Sequence, residues 1–119
     1  MNALRPLAAR KAVVTGGTRG IGWEIAARLR DDGADVTVTG TASSGAGPEG
    51  TRYHAVDFTT KDAVNVFASV LSDDPPDILI NNAGLNRNAP FAEIDLDDFD
   101  AIHLINLRAP VTLMQTVLP

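Results

Sequence analysis

A chain of 119 residues is bounded to one domain or part of one. Its 45% hydrophobic and 21% charged residues suit a globular protein, and a formal net charge of −5 argues against nucleic acid or an anionic membrane as partner. It has no cysteine, which excludes a disulfide framework, a thiolate metal site and a thiol nucleophile.

The opening MNALRPLAARK is basic but has no sustained apolar run. Residues 1–10 therefore read as a flexible, frayed terminus rather than a targeting peptide. No apolar run approaches the ~20 residues that span a bilayer, so no membrane partner is expected and a cytoplasmic location follows by default. Lys11 to Thr15 (KAVVT) reads as a buried strand running into glycine. Ile21, Ile25 and Leu29 then recur at helical spacing, and Gly33 sits where a helix C′ residue belongs. ADVTVTG is a second strand, SSGAGPEG is a loop or hides one helical turn, and RYHAVD is a third strand.

Thr59 with Asp62 resembles a capping box, and Val64, Phe67 and Leu71 form the stripe of a second helix that Pro75 and Pro76 stop. DILI is a fourth strand, apolar on both faces, followed by the polar loop NNAGLNRNAPF. From about Asp95 the chain reads as one long helix with acids in its first turn. Alternating elements with apolar strands predict an α/β fold, a parallel sheet with helices on both faces. A crossover helix is expected to deliver the chain into a further parallel strand, and none follows. Residues 11–119 are thus expected to form one incomplete domain of four strands and their helices.

The stretch VVTGGTRGIG places Gly16, Gly20 and Gly22 between the first strand and the first helix. Glycines permit a tight turn and close approach of backbone N–H groups to a pyrophosphate, and the helix N-terminus adds partial positive charge. Thr18 supplies a hydroxyl and Arg19 a cation. The bland alternative is an ordinary glycine-rich turn. No Lys-Ser or Lys-Thr follows the glycines, so this is no Walker A loop. Asp95, Asp97, Asp98 and Asp100 are read as helix-start acids, and His54 and His103 as ordinary strand and helix residues. No metal site is expected.

TGGTRGIG (Thr15 to Gly22) together with NNAG (Asn81 to Gly84) resembles the short-chain dehydrogenase/reductase family. Val56-Asp57 and Asn106 match two further positions of its pattern. The TRGIG and GTASS stretches look nearest to 3-oxoacyl-carrier-protein reductases. The resemblance implies a Rossmann-type doubly wound sheet and an NAD(P)(H)-dependent oxidoreductase that reduces a ketone or oxidises an alcohol. It implies that Gly16, Thr18, Arg19, Gly20, Ile21 and Gly22 meet the pyrophosphate and adjacent ribose. Asp57 would accept from the adenine amino group beside Phe58, and Asn82, Ala83 and Gly84 would line the nicotinamide-side ribose. On position alone, Asp57 also reads as a strand-end turn residue.

An acid at the end of the second strand, ~20 residues past the glycines, would select NAD through the ribose 2′-OH. Thr39 to Ser43 contains none. Hydroxyls of Thr41 or Ser43 and the charge of Arg19 suit a 2′-phosphate instead, so NADP(H) is expected over NAD(H). The family's acid is the Tyr of a Tyr-x-x-x-Lys pair, aided by a Ser. Here the one tyrosine, Tyr53, is followed four residues on by Asp57, and the lysines are Lys11 and Lys61. Of the family's catalytic set only Asn106 is matched. Pro110, four residues later, lacks the N–H that would bond its carbonyl, so a kink is expected there. In the family that carbonyl binds a proton-relaying water.

LNRNAPF (Leu85 to Phe91), after Gly84, reads either as one wall of a substrate pocket or as a solvated loop. The resemblance implies a homodimer or homotetramer for a full-length form acting on a small carbonyl or alcohol. The alternative is a non-catalytic dinucleotide-binding module, or one completed by a partner.

Overall fold

The computed structural model describes residues 5–119. Four strands, β1 (Lys11–Val14), β2 (Asp35–Gly40), β3 (Arg52–Ala55) and β4 (Ile78–Ile80), form one sheet in the order β3-β2-β1-β4. Every neighbouring pair is parallel. The chain winds outward from β1 to β3, then returns to add β4 on the other side of β1. The switch point of the sheet therefore lies between β1 and β4, where open α/β sheets place ligands beyond the strands' carboxyl ends.

The helices are α1 (Gly20–Asp31), α2 (Lys61–Asp73), α3 (Leu96–His103) and α4 (Ala109–Val117). Alternation along β1 feeds two cores. Ala12 and Val14 join Ala26, Val36 and Val38 beneath α1. Val13 faces the opposite layer, where Phe67 and Leu71 of α2 meet Ala109 and Leu113 of α4. Both faces of the sheet are thus covered, and this is the Rossmann-type architecture expected from the alternating pattern. The expected stripe of α2 is buried as a set at Val64, Phe67 and Leu71.

Several local expectations are corrected. Thr60, not Thr59, caps α2: its Oγ1 accepts from the Ala63 N–H at 3.2 Å. Thr59 is instead engaged with Asp57, which turns the chain just after β3. That turn ends the strand at Ala55 rather than Asp57. The SSGAGPEG loop holds no helical turn. Ile21 is 74% exposed and does not extend the buried stripe of α1, which rests on Gly22 and Ala26. Arg5 to Arg10, expected to fray, hold a turn in which the Leu7 N–H donates to the Asp32 carbonyl at 2.8 Å, and Leu7 packs on the α1 core. Met1 to Leu4 lie outside the described residues. Gly33 does close α1, with φ +103°.

The last helix is not continuous. A π turn at Leu104–Arg108 separates α3 from α4. The Ala109 N–H reaches back five residues to the Leu104 carbonyl, so Ile105 loses its usual i+4 donor. Pro110 has no N–H to offer Asn106. The expected break at Pro110 is therefore a widened turn just before it, and two successive carbonyls lack α-helical partners.

Candidate functional site

The site begins with two buried threonines at the ends of adjacent strands. Thr15, 2% exposed, follows β1, and its Oγ1 accepts from the N–H groups of Asn82 and Ala83, each at 3.0 Å. Its hydroxyl donates to the Ile80 carbonyl at 3.4 Å. Thr39, near the end of β2, accepts the Gly16 N–H on its Oγ1 at 3.1 Å and the Gly17 N–H on its carbonyl at 3.1 Å. Asn82 Nδ2 donates to the Gly16 carbonyl at 3.0 Å. The glycine loop is thereby tied to β2 on one side and to the segment after β4 on the other.

The glycines are required where the loop turns and where it is crowded. Gly16 and Gly20 adopt φ +68° and +58°, the left-handed region that side chains oppose. A Cβ on Gly22 would lie 2.3 Å from the Gly16 carbonyl oxygen and 2.4 Å from Asn82 Nδ2. Gly22 thus lets α1 begin directly against the loop. Arg19 is the N-cap of α1 in extended backbone (φ −164°), and no side chain caps the helix. Arginine has no acceptor to offer. The first N–H groups of α1 therefore open toward the loop without a side-chain partner.

These elements border a cleft of about 600 Å³ at the carboxyl ends of β1, β2 and β4. Of the residues expected there, Gly16, Thr18, Arg19, Gly20 and Ile21 line it from the loop, and Thr41 from the end of β2. Phe58, Asn82, Ala83 and Gly84 complete the expected set. Three others stand apart: Gly22 lies behind the loop as packing, and Ser43 and Asp57 are outside the lining. Asp57 Oδ1 accepts the Thr59 hydroxyl at 2.6 Å and the Thr59 N–H at 2.9 Å. The hydroxyl first, then the N–H, holds its carboxyl below the ordinary value of 3.8. Arg19 forms no ion pair among the described residues.

Asn106 is also outside the lining, next to the lining residues Gly84 and Ile105. Its Oδ1 accepts from the Leu85 N–H and its Nδ2 donates to the Leu85 carbonyl, both at 2.9 Å. The side chain acts as a strand-like clamp on the loop after β4, while the carbonyl is left without an i+4 donor. Sequence reasoning missed Tyr53, Gly40, Ala42, Gly45, Ala46 and Ile105 in the lining, and Thr15 and Thr39 beneath it. The signal for the threonines is a hydroxyl next to glycine at a strand end. Nothing local marks Ile105, which the π turn brings to the cleft.

Fold and cleft together define a Rossmann-type α/β domain with its glycine loop at the switch point of the sheet. The family model for the short chain dehydrogenases matches residues 10–119, and the chain belongs to that family. It is 37% identical to gluconate 5-dehydrogenase of Gluconobacter oxydans over 93% of its own length and 48% of that protein. It is 36% identical to the 3-oxoacyl-[acyl-carrier-protein] reductase MabA of Mycobacterium tuberculosis, over 92% of this chain and 44% of the relative. A metagenomic short-chain oxidoreductase solved in complex with NADP superimposes with a TM-score of 0.82 at 32% identity, covering 95% of this chain and 56% of the other. The chain thus spans about half the length of the relatives it matches. No helix among the described residues is long and apolar enough to cross a membrane.

Proposed function

We propose that residues 11–119 are the dinucleotide-binding part of a cytoplasmic oxidoreductase that interconverts a small ketone and alcohol. The observation that carries this reading is the uncapped start of α1 beside Gly16 and Gly20, opening into the same cleft as Asn82 to Gly84. The cleft fits a dinucleotide: its loop offers N–H groups and no acidic side chain, and its volume of about 600 Å³ lies in the range of cofactor sites.

In this reading Gly16, Thr18, Arg19, Gly20 and Ile21 hold the pyrophosphate and ribose, with Gly22 permitting the approach. Asn82, Ala83 and Gly84 flank the second ribose. Phe58 lies beside the adenine, and Asp57 offers it the oxygen that Thr59 does not hold. Thr41 and Arg19 of the lining, with Ser43 just outside it, receive a 2′-phosphate, so NADP(H) is preferred over NAD(H). When bound, a nicotinamide would supply or accept the hydride. The Asn106 carbonyl holds a water for proton relay, and its side chain keeps the loop after β4 in place. The Ser and the Tyr-x-x-x-Lys pair implied by the family are not among these 119 residues, so the chain alone is expected to bind cofactor without turning it over.

Titration of NADPH and NADH into the chain tests this. Tighter binding of NADPH is expected. Equal or tighter NADH binding overturns the preference, and binding of neither overturns the reading. A second reading is a non-catalytic module completed by a partner. It is supported by β4 standing at the edge of the sheet with half-buried apolar residues. Assembly into a homodimer or homotetramer serves either reading.

A further inference from the structure

Tyr53 has no part in the hydride chemistry above, yet it forms part of the cleft wall. It stands on β3, paired with Val38 of β2. Its hydroxyl donates to the Ala42 carbonyl in the segment after β2. Among the described residues this is the one hydrogen bond made by residues 41–47.

The ring is as closely engaged as the hydroxyl. A Cβ built on Gly40 would lie 2.9 Å from the ring edge, and one on Gly45 2.9 Å from Cζ. The chain from Gly40 to Gly45 therefore wraps around the tyrosine, with glycine at both points of closest approach. Thr41 and Ser43 flank the anchored Ala42. This segment follows β2, where dinucleotide folds meet the ribose 2′ position.

A segment with one anchor regains conformational freedom when that anchor is cut. A carbonyl without its donor would also present a bare acceptor near a phosphate dianion. We propose that Tyr53 is a positioning residue for cofactor discrimination: by holding the Ala42 carbonyl it fixes Thr41 and Ser43 for a 2′-phosphate. The inference rests on the NADP(H) reading given above.

The test compares the wild-type chain with Tyr53→Phe, which keeps the ring and removes the hydroxyl. NADPH and NADH are each titrated by calorimetry, with circular dichroism as the folding control. Losing one net hydrogen bond predicts a roughly two- to tenfold rise in the NADPH Kd, with the NADH Kd unchanged. If Tyr53→Phe does not fold, Gly45→Ala, which presses on the ring from the loop side, is expected to give the same selective loss. Equal loss for both nucleotides, or no loss for either, overturns the positioning role while leaving the proposed function intact. A wild-type chain that binds neither nucleotide, or NADH as well as NADPH, overturns the NADP(H) reading and this inference with it.

Discussion

Gly22 has no room for a side chain, because a Cβ there would meet the Gly16 carbonyl oxygen and the Asn82 amide. Gly22→Ala is expected to cost about 1–3 kcal/mol of stability, as overpacked substitutions do. It is also expected to weaken NADPH binding roughly tenfold, a loss of ~1.4 kcal/mol, because the loop and α1 must separate. Thermal unfolding and calorimetric titration check both, and an unchanged Kd would remove Gly22 from the site's design. Asp57 carries a different kind of prediction. Its folded pKa is lowered, so its contribution to stability is present above the unfolded value near 3.8 and is lost as pH falls through the folded value. Thr59→Val removes the hydroxyl, which is the larger cause, and should move the carboxyl back up toward 3.8. Carboxyl NMR titration reads this directly. Sequence alone left Asp57 with two roles, adenine acceptor and turn former. The turn is visible in its bonds to Thr59, since both groups lie within two residues. Thr15 and Thr39 were not legible as supports of the site, because their partners are 65 or more residues away for Thr15 and 23 for Thr39.

At the level of elements, the clamp between Asn106 and Leu85 joins the π turn to the loop after β4. Asn106→Ala removes two hydrogen bonds at an exposed position. The expected cost is about 1 kcal/mol, the low end for two such bonds, with faster hydrogen exchange at the Leu85 amide. Unchanged exchange at Leu85 would show that the loop is held by other means. The strands were legible because β-branched residues meet glycine or polar turns at their ends. Helix α2 was legible because its apolar stripe has one period throughout. The long C-terminal helix was only partly so. Pro110 announces one missing N–H, but the five-residue reach of Ala109 to Leu104 also strips Ile105 of its donor, and no local pattern encodes that choice. The capping error at Thr59 has a similar origin. Two adjacent threonines compete for one cap, and Asp57 decides between them by engaging the first.

The whole molecule carries apolar surface of two kinds. Strand β4 stands at the edge of the described sheet with Ile78, Leu79 and Ile80 half-buried, and no charge or proline lies within the strand itself. Along the α3–α4 segment, Leu96, Phe99, Leu107, Val111, Met114 and Leu118 are exposed at helical intervals. Single exposed apolar residues are ordinary, but several on one segment favour association. The 119-residue chain is therefore expected to self-associate, and light scattering after gel filtration should show species larger than its 12.5 kDa mass. Leu107→Lys with Met114→Lys places two cations within the helical run and should shift the chain toward monomer. That variant also separates the causes: if association survives it, the β4 edge drives assembly. A wild-type chain that is monomeric at every concentration would mean that neither surface is sticky enough to matter. The outcome bears on function, because the cleft is bordered by Gly84 and Ile105, close to the segment that carries the exposed run. If assembly covers that segment, NADPH affinity should change with protein concentration, by the mass-action linkage between binding and association. Affinity independent of concentration would separate the cofactor cleft from the assembly surface.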